Sequence, residues 1–256
     1  MQPEILAEIR ALHRLRCFYM EQRKRSHLAL GSFLRRELGW SLALPEAERK
    51  KIAKQAAQMV ADVEGEWCDV IAEVLASAEP FAKREEASLK AMTKLAEGLP
   101  VWQRFGEPIR GFGAGSLAVI LAEAGDLSGY ANPGKLWKRM GIAVMGEVRQ
   151  GGLKKGASKD AWIEHGYNAV RRSRMWNVGA ALIKGNRDGP YRAIYLDQKQ
   201  KYIARGWTKL HAHRAAQRYM EKRLLRNLWQ AWRQTTNTMK PRTCLSAADL
   251  HTGVPC

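Results

Sequence analysis

Ile109-Arg110-Gly111-Phe112-Gly113-Ala114-Gly115-Ser116-Leu117-Ala118 sets three glycines at alternate positions between two apolar segments that both read as helix. Glycine alone visits positive φ without a Cβ penalty, so such a run lets backbone N–H groups converge on one point. The helix expected next, over about 116–123, adds unpaired N–H groups and the positive end of its dipole. Two readings of Gly111, Gly113, Gly115 and Ser116 stay open. One is a phosphate-binding turn; the other is a tight interhelical turn whose glycines only permit close packing.

Charge says where an anion would go. The chain has 256 residues, a formal net charge of +18 and 46% hydrophobic residues, so it can build a sizeable core and attracts polyanions. Residues 1–100 hold 16 Lys+Arg against 15 Asp+Glu, a net of +1, whereas residues 101–256 hold 27 against 10, a net of +17. The polyanion site therefore belongs to the second half. Cys17, Cys68, Cys244 and Cys256 are far apart and form no CxxC pair, which argues against a disulfide framework or zinc finger. The N-terminus lacks a signal-peptide layout, and the longest uncharged apolar runs, such as 116–122, are far too short to span a bilayer. A cytoplasmic protein with no membrane contact is expected.

Upstream of the glycine turn, helical spacing of apolar residues predicts a helix over about 3–38, broken by Gly39 and Pro45. Arg23-Lys24-Arg25 within it reads either as a phosphate contact or as a solvated face. A second long helix begins at Pro45, a natural first helical position, and carries Ile52, Ala56, Met59, Val60, Val63, Trp67, Val70, Ile71 and Val74 to a stop at Pro80. Two long helices with a short break read as an antiparallel hairpin or coiled-coil arm. It would pair subunits into a homo-oligomer, separate domains, or simply pack on itself. A third helix is expected over about 81–97 and a fourth over about 101–109.

Downstream, short helices are expected over 116–124 and 133–140. Four glycines and three basic residues in 146–156 cannot form a stable helix, so this segment, with Lys154 and Lys155, reads as a mobile or hairpin-like basic loop. Ser158 is placed to cap a helix from Lys159 to about 183 that carries Arg171, Arg172 and Arg174. Gly189-Pro190 breaks the chain before a helix over 191–204. In the last helix, about 208–234, Arg214, Arg218, Lys222 and Arg226 recur every four residues and so form one row. That row reads as phosphate contact, with a solvated face as the alternative. Residues 235–256 read as a polar, disordered tail.

Catalytic chemistry is hard to find in these residues. No set of carboxylates converges as a metal nuclease requires, and His211 and His213 diverge on a helix, so neither metal nor cofactor is expected. No Walker-type lysine follows the glycine turn. The nine tryptophans mostly fall at packing positions, with base stacking by one or two left open.

The series from Ile109 through the Ala122-Glu123-Ala124-Gly125-Asp126 segment resembles the helix-hairpin-helix of the DEDD transposases of bacterial insertion sequences. It continues through Asn132-Pro133-Gly134-Lys135-Leu136, Met140-Gly141-Ile142, the loop from Gly151 to Gly156, Gly166-Tyr167-Asn168 with Arg171-Arg172, and Gly189-Pro190-Tyr191, over about residues 105–234 in order. The resemblance implies an all-α fold: a helical arm over 1–100, a helix-hairpin-helix transposase-like domain over 101–234, and a tail. It implies DNA transposition or recombination as the activity, DNA as partner and, as in some members, a structured guide RNA. Members begin with a RuvC-like nuclease domain bearing four metal-binding acidic residues; this sequence starts where the coiled coil would start, so a separate nuclease subunit is expected. The family's nucleophilic serine falls where this chain reads Arg149-Gln150-Gly151-Gly152. Ser158 is the nearest substitute, and helix capping explains it equally well. The alternative function is a non-enzymatic DNA- or RNA-binding protein derived from a transposase.

Overall fold

The structure is a computed structural model that describes residues 3–153, 156–185 and 188–239. Lys154, Lys155 and the tail from residue 240 lie outside the described residues. The fold is all-α: α1 (Pro3–Glu37), α2 (Glu46–Asp62), α3 (Cys68–Glu97), α4 (Ala114–Ala124), α5 (Pro133–Arg139), a hairpin of β1 (Val144–Met145) and β2 (Val148–Arg149), then α6 (Lys159–His165), α7 (Ala169–Lys184), α8 (Pro190–Ala204) and α9 (Lys209–Met239). No described helix is long and apolar enough to cross a membrane. The chain divides into two units, Glu4–Ala96 and the part from Glu97 onward.

In the first unit, Leu30, Leu34, Ala56 and Ile71 form a buried cluster with Phe33, Met59 and Trp67 packed on it, so α1, α2 and α3 share one core. Tyr19 on α1 meets Arg84 on α3, while Leu34 shares the cluster with Ile71, so the two long helices run antiparallel. Arg23, from the basic run read as a phosphate contact or solvated face, donates to Glu85 at 2.9 and 3.1 Å.

Two boundaries differ from the sequence reading. The single helix predicted from Pro45 through Val74 breaks after Asp62, where Val63 adopts a left-handed conformation (φ 54, ψ 49) and donates to Met59 O. That conformation is strained for a β-branched residue. The turn brings Trp67 edge-on to Phe33 at 5.1 Å, a packing contact that local periodicity does not encode. Pro80, predicted to end a helix, lies inside α3. It is exposed, as is Ala76, to whose carbonyl a proline cannot donate, so water has access to take up the lost hydrogen bond.

The second unit is arranged around α9, whose Ala212, Ala216, Met220, Leu224, Leu228 and Trp232 are buried. Helices α5, α7 and α8 and the turn after α4 all pack on it. Three indole N–H groups fasten it: Trp137 to Lys222 O at 3.1 Å, Trp229 to Tyr130 O at 3.0 Å, and Trp232 to the Asp126 carboxylate at 2.8 Å. The Trp232 anchor and buried Thr235 carry the helix past residue 234, where the polar tail was expected, to Met239.

Other corrections are local. The helix predicted over 101–109 is a π turn over Trp102–Gly106, with the Trp102 ring lying against Gly106 where a Cβ would sit 2.3 Å from it. The helix predicted over 159–183 is two. Gly166, at φ +63, closes α6, and Asn168 opens α7 by accepting from Arg171 N–H at 2.9 Å. The glycine-rich segment read as a mobile or hairpin-like loop begins as an ordered hairpin, the second of those readings. Buried Gln150 pins it, accepting from Ala143 N–H at 2.9 Å and donating to Lys138 O at 3.0 Å and His165 O at 3.1 Å.

Candidate nucleic-acid interface

The three glycines of the turn do different work. Gly111 sits at φ +85, and a Cβ there would lie 3.0 Å from Ala181 O and 3.2 Å from Leu182 Cα, so its role is close packing on the end of α7. Gly113 is extended (φ −74, ψ 157), exposed, and stands at the N-cap of α4 with open space around it. Gly115 and Ser116 are in the first turn of that helix, and no side chain caps it. Gly113 O accepts from Ser116 N–H at 2.8 Å. The open helix start at Gly113–Gly115 keeps the capacity to receive an anion; Gly111 does not contribute to it.

A larger basic feature lies on α9. Arg214, Arg218 and Lys222 line one wall of a groove of about 750 Å³, and the β1–β2 hairpin, through Val148, Arg149 and Glu147, lines another. Arg226, one turn further along α9, is exposed and outside the groove. Among the described residues Arg149, Arg214, Arg218 and Lys222 form no ion pair. Burial, then the neighbouring Arg172 and Arg149, push the Arg218 guanidinium below its usual range. Burial and Arg218 do the same to Lys222. Like charges crowded together and partly stripped of water gain from an anion that offsets both penalties.

The arginines of α7 are engaged elsewhere. Glu123 pairs with Arg171 at 3.0 Å and with Arg174, tying α7 to α4. Arg172 pairs at 2.8 Å with Glu221, whose side chain has no exposed surface. Glu221 also accepts from Gln217 at 3.0 Å, and Gln217 donates to Trp176 O at 2.8 Å. Burial outweighs these partners and pushes the Glu221 carboxyl up to about 7. Gly179 makes room for it, since a Cβ there would lie 2.5 Å from Glu221 Oε1. The Arg172–Glu221 pair thus sets how α7 seats on α9, and with it which α9 face stays open.

The remaining positions sort simply. Ser158 Oγ accepts from Ala161 N–H at 3.1 Å and caps α6, whose first residue, Lys159, is exposed. His213 Nδ1 lies 2.8 Å from the Tyr195 hydroxyl, while His211 stacks on Trp207, so the two histidines diverge. Among the described residues no group of three or more His, Cys, Asp or Glu side chains could hold a metal ion.

Sequence reading missed the rings at the groove's end. Gly206, at φ +82, closes α8 with Gly206 N–H on Ile203 O (2.9 Å) and Trp207 N–H on Tyr202 O (3.2 Å). This closure brings the residues five apart together. Tyr202 and Trp207 stack at 4.6 Å and 13°, and Trp207 and His211 at 4.7 Å and 28°. The available signal was Tyr202 followed by Gly206-Trp207, a helix stop with an aromatic residue on each side. Comparison of the chain with protein-family models, curated proteins and solved structures finds no match.

Proposed function

We propose that the chain binds nucleic acid through its phosphate backbone, with the groove of Arg149, Arg214, Arg218 and Lys222 as the principal contact. The observation that carries this reading is the crowding of four cations, none ion-paired among the described residues, in one partly buried groove. The open start of α4 at Gly113 supplies a second, weaker contact. Within that reading, the resemblance to DEDD transposases makes DNA transposition or recombination the biological setting, in the cytoplasm with the nucleoid. A structured RNA is a further partner. The exposed Leu15, Phe18 and Leu28 of α1 offer a surface for pairing two copies of the arm. Commitment of Ser158 Oγ to capping α6 favours the form in which this chain binds and positions nucleic acid without itself cutting it.

The test is a salt series. Duplex DNA and a folded RNA are titrated by fluorescence anisotropy between about 50 and 200 mM salt. Neutralising about three phosphates gives a log–log slope near −3. The exposed pair Arg149→Gln/Arg214→Gln should flatten that slope by about two. Affinity independent of salt, or an unchanged slope in the double variant, overturns the proposal.

A further inference from the structure

We infer that the groove on α9 receives an unpaired nucleic-acid strand, one of whose bases stacks on the aromatic column of Tyr202, Trp207 and His211. This rests on the phosphate-binding reading above and names the substrate class of the same groove. Its volume, about 750 Å³, falls within the range of pockets that enclose a small ligand. A duplex instead lies across a surface or takes a protein element into its own groove, so a cleft of this size suits a strand of a few nucleotides.

The rings and the charges share one stripe of α9. His211, Arg214, Ala215, Arg218 and Lys222 fall at helical spacing and all line the groove. Arg214, Arg218 and Lys222 follow one another at about 6 Å per step. A base laid on the exposed His211 ring therefore places its own phosphate beside Arg214 and the next ones along Arg218 and Lys222.

The bland explanation covers only part of the column. A helix stop of this kind is normally accompanied by an apolar contact across it, which accounts for Tyr202 on Trp207. It does not account for a third ring on the other side, nor for Trp207 staying 39% exposed and Leu210 58% exposed beside it. Exposed rings next to unpaired cations are the arrangement by which proteins hold single strands irrespective of sequence.

The experiment uses the full chain and four labelled probes of about ten nucleotides: an oligothymidylate, the matching oligouridylate, an abasic DNA strand with the same phosphates, and a duplex. The oligothymidylate or the oligouridylate is expected to bind on the order of tenfold tighter than the abasic strand, and the tighter of the two identifies the sugar. Trp207→Ala/His211→Ala should bring that probe down to the abasic level while leaving abasic binding unchanged. His211→Ala alone, which removes the exposed end ring and its stack on Trp207 but leaves Tyr202 on Trp207, should lose part of the same difference. Equal binding of abasic and base-bearing strands, a duplex bound as tightly as either strand, or a preference that survives both variants overturns the inference and leaves phosphate binding intact. Loss of all salt-dependent binding, to every probe, overturns the phosphate reading with it.

Discussion

Glu221 is the residue on which the α7–α9 contact turns. A carboxylate with no exposed surface persists because Arg172 and Gln217 meet its two oxygens and Gly179 leaves space for them. Its folded-state value, about 7, lies above the ordinary 4.5, so the folded chain holds this proton more tightly than the unfolded one. The resulting stabilisation is fully present below pH 4.5 and is lost as pH rises through about 7. Its size is at most about a few kcal/mol. Urea denaturation across that window should show wild-type stability falling relative to Glu221→Gln, which has no proton to lose. Parallel pH profiles would contradict the assignment. Gly179→Ala tests the same seat from the other side. The added Cβ displaces Glu221 and Gln217, and the expected cost is about 1–3 kcal/mol, partly offset by about 1 kcal/mol of helix propensity. An unchanged urea midpoint would mean that the carboxylate has room to move.

At the scale of elements, the glycine turn divides into a packing position and an open one. Gly111→Val forces a β-branched residue to φ +85 and drives its Cβ toward the Ala181 carbonyl. The expected cost is about 1–3 kcal/mol or more. Gly113→Val meets ordinary backbone and open space, so the stability cost is only that of an apolar N-cap, about 1 kcal/mol, while affinity for duplex DNA falls because the side chain shades the α4 start. A folded Gly113→Val with full affinity would remove this helix start from the interface. Much of this layer is legible in sequence, because α5, α8 and the basic row of α9 follow from apolar periodicity with Asn132, Gly189-Pro190 and Gly206 as punctuation. What was not legible depends on partners distant in sequence. Val63 turns left-handed so that Trp67 can reach Phe33, and α3 runs through Pro80 on packing from either side. The three-ring column forms only after Gly206 folds the chain back.

On the whole-molecule scale, charge and fold partition almost together. The contact boundary lies between Ala96 and Glu97, and the net charge is +1 over residues 1–100 and +17 thereafter. Each unit has its own buried core, one around Leu30, Leu34 and Ile71, the other along α9, so each has the means to fold alone. The first unit has a second basic groove, lined by Arg35, Arg36 and Arg49 with Trp40, but Lys50 beside them is already paired with Glu46 at 2.7 Å, and the groove carries that carboxylate. A fragment from Glu97 onward should therefore keep the salt dependence of the full chain, to within about one charge on the log–log slope, because counterion release counts only the phosphates neutralised. The fragment ending at Ala96, whose charges nearly cancel, should bind more weakly than the other fragment at every salt concentration. If the slope of the full chain appears in neither fragment, the binding surface is assembled from both units, and the groove on α9 is only part of it.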